Sequence, residues 1–120
     1  AFGMDVVAWS QNLTDADAAA GGALRVDKAE LFATSDVVSL HLVLSERTRH
    51  VVGPEEIAAL KPGAILVNTA RGPLIHGESL LQRLRRGDIV AGLDVYDVEP
   101  PAVDDALRSL PNVVLSPHLG

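Results

Sequence analysis

Arg71, Asp94, Glu99 and His118 are residue types from which a proton-transfer site for an anionic substrate is built. Arg71 follows the apolar run Ala64-Ile65-Leu66-Val67 and the polar pair Asn68-Thr69, and it precedes the breakers Gly72 and Pro73. An arginine in such a turn can grip a small carboxylate through two parallel hydrogen bonds. Asp94 lies within a second apolar stretch, with Tyr96 and Glu99-Pro100-Pro101 after it. His118 comes after a third, Val113-Val114-Leu115, and a proline. Histidine takes and gives protons near neutral pH, because its unperturbed pKa is about 6.5. A nearby glutamate favours the imidazolium and holds the ring. Together they suit oxidation of an alcohol beside a carboxylate, in which the histidine takes the hydroxyl proton as hydride leaves the carbon. In reverse, the histidine gives that proton to a ketone. Each residue also has a plain structural reading: Arg71 as a solvated turn residue, Asp94 as a cap, Glu99 as an exposed loop acid, His118 as a histidine with no role.

The elements that position these residues favour a shared site. Strands are expected over Met4 to Trp9, Val37 to Leu44, Ala64 to Val67, Ile89 to Val95 and Val113 to Leu115. Each is rich in Val, Ile or Leu with little alternation, the pattern of strands covered on both faces. Helices are expected from Asp27 through Phe32, from Pro54 to Leu60, from Gly77 to Arg86 and from Asp104 to Leu110, with capping residues, first-turn proline or end charges in place. Gln11 to Gly22 reads as either a helix or a loose loop. Strands alternating with helices imply a parallel α/β sheet of about five strands with helices on both faces. The carboxyl ends of parallel strands share one edge, which is where ligands sit in such sheets. Arg71, Asp94 and His118 each fall at or just beyond such an end.

Composition narrows the partners. At 120 residues the chain is one domain at most, 48% apolar but only 3% aromatic. A net charge of −6 argues against general nucleic-acid binding. No apolar run approaches the roughly 20 residues of a membrane span. The absence of cysteine fits a reducing compartment, and a cytoplasmic location is expected. His41, His50 and His76 form no close ligand spacing with the acids, so no metal site is expected; His41 reads as a core or edge residue. No glycine-rich dinucleotide fingerprint is present, and Gly21-Gly22 has no helix opening on it.

Four blocks resemble the nicotinamide-dependent D-2-hydroxyacid dehydrogenases, the group containing D-3-phosphoglycerate, glyoxylate/hydroxypyruvate, D-lactate and formate dehydrogenases. They are Ala1-Phe2-Gly3-Met4 running to Trp9-Ser10-Gln11-Asn12-Leu13-Thr14; Ser35 to Leu42; Lys61-Pro62-Gly63-Ala64 running to Asn68-Thr69-Ala70-Arg71-Gly72-Pro73; and Leu93 to Pro100, running on to Pro111-Asn112-Val113 and Pro117-His118-Leu119-Gly120. The resemblance implies a Rossmann-like sheet, incomplete at the N-terminus, with residues 1–120 forming part of the cofactor-binding domain. On that footing the glycine-rich phosphate loop lies upstream of Ala1, and a substrate domain lies elsewhere in a longer protein.

It also implies roles. Arg71 matches the arginine that binds the substrate carboxylate, His118 the acid/base and Glu99 its paired acid. Asp94 matches the aspartate near the nicotinamide carboxamide. Thr69 and Ala70 match the loop against the cofactor, Leu42 a further contact, and Gly120 the turn beside the nicotinamide. The family resemblance implies NAD; Ser10 stands at the strand tip where NAD-preferring relatives often place an acid, and the absence of that acid leaves NADP open, although no arginine follows at once to meet a 2′-phosphate. His76 stands where an aspartate is common, and Val43 where a proline is. A 2-hydroxy or 2-keto acid substrate and a homodimeric parent are implied. The alternative is a sensor or corepressor module of the same fold, as in the C-terminal binding proteins of this family.

Overall fold

The computed structural model describes residues 2–120. Its elements run β1 (Val7–Ala8), α1 (Asp15–Ala20), β2 (Leu24–Arg25), α2 (Lys28–Thr34), β3 (Val37–Leu40), α3 (Pro54–Ala59), β4 (Ile65–Asn68), α4 (Gly77–Arg85), β5 (Val90–Leu93) and β6 (Val113–Leu115). Short 3-10 turns lie at Gly72–Leu74 and Ala106–Ser109. All pairings are parallel. β1 pairs with β2, and β3-β4-β5-β6 form a four-stranded sheet, with no ladder joining the two groups among the described residues.

Local chemistry sets the helix starts. Thr14 Oγ accepts the Asp17 amide at 3.1 Å, which resolves the ambiguous Gln11 to Gly22 stretch as a short helix after a loop. Asp27 accepts the Glu30 amide at 2.7 Å. Pro54 opens α3, and Glu56 reaches back to the Gly53 amide at 2.9 Å. His76 caps α4, its Nδ1 paired with the Ser79 hydroxyl at 2.7 Å. The Asp104 to Leu110 segment makes only a 3-10 turn, started by Asp105 accepting the Leu107 amide at 2.9 Å.

Strand lengths follow the available partners. β1 is two residues long because β2 offers only Leu24 and Arg25, both exposed and without an apolar run to announce them. β3 stops at Leu40, opposite Asn68, where β4 ends, and residues 41–44 continue as loop.

The successive crossovers from β3 to β6 run in one direction, which places their connections on one face of the sheet. α2 packs on α3 and α3 on α4. Phe32, Ile57, Leu60, Leu80 and Leu84 from these helices join Val38, Leu40, Leu66, Ala91 and Leu93 in one core. The opposite rows, Val37-Ile65-Val90 and Ser39-Val67-Gly92-Val114, are partly or largely exposed; Val37 is 44% exposed. Apolar residues thus occupy both faces, which explains the lack of alternation in the sequence. Within the described residues, helices cover one face of the four-stranded sheet.

One buried charge fastens this layer. Arg83, 6% exposed, pairs with Asp88 at 2.8 Å and donates to the carbonyls of Ile57 at 2.8 Å and Leu60 at 2.7 Å. It therefore closes the C-terminal end of α3 rather than that of its own helix. The Arg83 hydrogen bond holds the Asp88 carboxyl below its usual range. Arg83→Ala is expected to destabilise the fold by about 3 kcal/mol, since carbonyls and a carboxylate lose their donor together. Arg83→Lys should recover less than half, for want of a planar fork. Urea denaturation checks both.

Candidate active site

Arg71 owes its place to Asn68, the last residue of β4 and only 1% exposed. The Asn68 amide nitrogen donates to the Arg71 carbonyl at 2.8 Å, and its oxygen accepts the Ala70 amide at 3.1 Å. One buried side chain thus folds Thr69-Ala70-Arg71 into a fixed turn beyond the strand. The Arg71 guanidinium lies exposed and donates to the Ala70 carbonyl at 2.6 Å.

The His118 turn is organised from β5. Asp94, 5% exposed, follows Leu93 at the strand end. Its Oδ1 accepts the Ser116 hydroxyl at 2.5 Å and the Leu119 amide at 2.9 Å, and its Oδ2 accepts the Gly120 amide at 2.8 Å. The hydroxyl and then the two amides hold the carboxyl down to about 2, against the cost of its desolvation. Between the clamped residues His118 takes a left-handed backbone, φ 59°.

His118 Nδ1 meets Glu99 Oε2 at 2.7 Å, with both side chains about one-third exposed. Glu99 Oε1 accepts the Tyr96 amide at 3.0 Å. The His118 ring and the Tyr96 amide hold the Glu99 carboxyl below its usual range, and Arg71 adds a smaller pull in the same direction. The Tyr96 hydroxyl donates to the carbonyls of Leu93 at 3.1 Å and Ser116 at 2.7 Å. Burial, then the Asp94 charge, raises that hydroxyl's pKa, so it remains a donor. Gly72 completes the assembly: a Cβ there would fall 2.2 Å from the Tyr96 carbonyl carbon. The Arg71 turn and the Glu99 loop touch backbone to backbone at this glycine.

The expected site residues therefore fall into two groups. Thr69, Asp94 and Gly120 converge: a Cβ on Gly120 would meet Asp94 Oδ2 at 3.1 Å and Thr69 Cβ at 3.9 Å. Ala70 and Arg71 share their turn, and Glu99 and His118 their 2.7 Å hydrogen bond. Ser10 and Leu42 lie beyond the ends of β1 and β3. A cavity of about 470 Å³ is lined by Glu99, His118, Tyr96, Ser116 and Arg108. Arg71 does not line it, so the Glu99–His118 contact marks the site better than the cavity does. Reading the sequence missed Asn68, Gly72, Tyr96 and Ser116. Asn68 alone carried a local signal, a polar residue closing an apolar strand.

A family model described as D-isomer specific 2-hydroxyacid dehydrogenase, NAD binding domain, matches residues 1–120. A hydroxypyruvate reductase of Thermotoga maritima is 44% identical over 123 residues, covering the whole chain and 39% of the relative. A phosphoglycerate oxidoreductase structure from Vibrio cholerae superposes with TM-score 0.92 at 38% identity, covering 98% of this chain and 38% of that one. A D-isomer specific 2-hydroxyacid dehydrogenase from Xanthobacter autotrophicus, in complex with NADPH and MES, gives TM-score 0.87 at 34% identity, covering 98% and 38%. The chain thus spans about two-fifths of the length of these relatives.

The Asp94 clamp makes a prediction about acid. Its folded pKa lies below the ordinary 3.8, so its stabilisation is fully present above about pH 4 and is lost as pH falls through about 2. Asp94→Asn should melt lower at pH 7 and show a flatter loss of melting temperature between pH 4 and 2 than the parent. Parallel curves for the two proteins would refute the clamp.

Proposed function

The chain belongs to the D-isomer specific 2-hydroxyacid dehydrogenase family, in its NAD-binding domain, and from that premise we propose that the protein carrying it moves hydride between NAD(P) and a 2-hydroxy or 2-keto acid. The observation that carries this reading is the 2.7 Å Glu99–His118 pair, with Arg71 acting on the same glutamate from the neighbouring strand end.

The edge fits a nicotinamide. Thr69, Asp94 and Gly120 leave a ledge that a single Cβ would crowd. Asp94 Oδ2 accepts one amide and keeps a lone pair for a carboxamide N–H. The bound cofactor supplies or accepts the hydride. Arg71 binds the substrate carboxylate through its guanidinium fork and fixes which carbon faces the ring. His118 Nδ1 is committed to Glu99, which leaves Nε2 for the substrate oxygen. In reduction Nε2 gives its proton to the keto oxygen; in oxidation it takes the hydroxyl proton. Glu99, anchored by the Tyr96 amide, stabilises the charged imidazole.

Residues 1–120 act as part of the cofactor domain, with the glycine-rich phosphate loop on a preceding segment and a separate substrate domain elsewhere. The unpaired break between β1 and β3 supports this, since one further parallel strand would join the two groups. A cytoplasmic homodimer acting on a small acid, without nucleic acid or membrane as partner, completes the proposal. The net charge of −6 supports the first exclusion. Among the described residues no helix is long and apolar enough to cross a membrane.

Turnover of glyoxylate or hydroxypyruvate by the intact protein, with NADH and NADPH, tests the reading. Arg71→Ala should raise KM by about 10- to 100-fold. His118→Gln should lower kcat by roughly 10²- to 10⁴-fold. No turnover by the folded intact protein, or unchanged rates in both variants, would overturn it.

A further inference from the structure

The loop after β1 carries no carboxylate: Ser10-Gln11-Asn12-Leu13-Thr14 separates the strand from the first acid, Asp15. In sheets of this kind an acid there accepts from the ribose hydroxyls, and an arginine nearby accommodates a 2′-phosphate instead. The loop contains no arginine, but the fold delivers one from 36 residues away. Arg47, from the loop after β3, donates through Nε and Nη2 to Gln11 Oε1 at 3.1 and 2.6 Å. The contact ties the loop after β3 to the loop after β1, at the residue that follows Ser10.

The charge of Arg47 is not neutralised. Its partner is an uncharged amide, and among the described residues no carboxylate lies within ion-pair distance of it. Asp15, Asp17 and Lys28 are engaged elsewhere, and Glu46, the chain neighbour of Arg47, makes no ion pair with it. Asp17 accepts the Thr14 hydroxyl at 2.7 Å, and Asp15 pairs with Arg25 at 3.5 Å. Lys28, which stands 5.5 Å over the Trp9 ring, is held by Glu56 at 2.7 Å. Nη1 of Arg47 has no partner among the described residues, and neither does the Ser10 hydroxyl. A phosphate monoester carries about −1.5 to −2 charge at neutral pH and accepts several hydrogen bonds.

We propose that Arg47, held by Gln11 beside Ser10, binds the 2′-phosphate of NADP(H), so that the protein prefers NADPH to NADH. The inference rests on the nucleotide-binding reading above and adds the choice of cofactor to it.

Calorimetric titration of the intact protein with NADPH and with NADH is the test, on the parent, Arg47→Ala, Arg47→Glu and Gln11→Ala, each checked for folding by thermal melting. The parent should bind NADPH at least about tenfold more tightly than NADH. Arg47→Ala should weaken NADPH by about 10- to 100-fold and leave NADH within about threefold. Arg47→Glu should reverse the preference, and Gln11→Ala should cost NADPH binding about threefold by releasing the guanidinium. NADPH affinity should also fall more steeply with added salt than NADH affinity. Equal affinity for the two nucleotides, or equal weakening of both by Arg47→Ala, overturns the proposal and leaves the dehydrogenase reading standing. Binding of neither nucleotide by the folded intact protein overturns both.

Discussion

Asp94 sits buried at the tip of β5 and accepts three hydrogen bonds from one turn: the Ser116 hydroxyl and the amides of Leu119 and Gly120. The hydroxyl and the two amides lie on either side of His118, whose left-handed backbone costs roughly 1–2 kcal/mol for a residue with a Cβ. A backbone of that kind persists only where its surroundings over-determine it. Here the carboxylate does so, and its pKa of about 2 keeps it ionised near neutral pH.

The remaining contacts tie this turn to the other two strand ends. Tyr96 is the junction: its amide fixes Glu99, its hydroxyl bridges Leu93 and Ser116, and its backbone lies against Gly72. Gly72 in turn follows Arg71, whose carbonyl is held by Asn68. These contacts join the three loops, and one of them, Gly72 against Tyr96, is backbone to backbone. On the proposed reading, that coupling suits a site that holds a carboxylate and a reacting oxygen at fixed separation.

Some of this could be read from the sequence and some could not, for physical reasons. Arg71, Asp94, Glu99 and His118 stand out because charged residues after apolar runs are few in this chain and each has chemistry of its own. Gly72 carries no such mark; its need for a bare Cα arises from Tyr96, which is distant in sequence. Arg83 reads as a cation at the negative end of its own helix, yet it closes the neighbouring one, since helix packing decides where a long side chain can reach. Arg47 reads as a surface charge until Gln11 is seen beside it. β2 is invisible because two exposed residues carry no periodicity. The open face of the sheet was hidden by its own composition: Val37, Ile65 and Val90 look like core, and only the single direction of the crossovers leaves their row uncovered.

Register is what converts these parts into one site. The last paired row of the sheet is Leu40, Asn68, Leu93 and Leu115. The Asp94 amide donates to the Asn68 carbonyl at 3.0 Å, and the Ser116 amide to the Leu93 carbonyl at 3.0 Å. The next residues outward from β4, β5 and β6, namely Thr69, Asp94 and Ser116, therefore form the edge itself. Side chains in a strand alternate between faces, so a slip of one residue would exchange every inward and outward position. Sliding β6 by one against β5 would set Pro117 beside Asp94 and remove the hydroxyl that does most to hold that carboxyl ionised. Sliding β4 would put Val67 in the row of Asn68, and the Arg71 turn would lose both bonds that shape it. Leu66 and Ala91, fully buried beneath the helices, forbid either slip. The apolar core thus fixes the active edge by fixing which polar residue comes last in each strand.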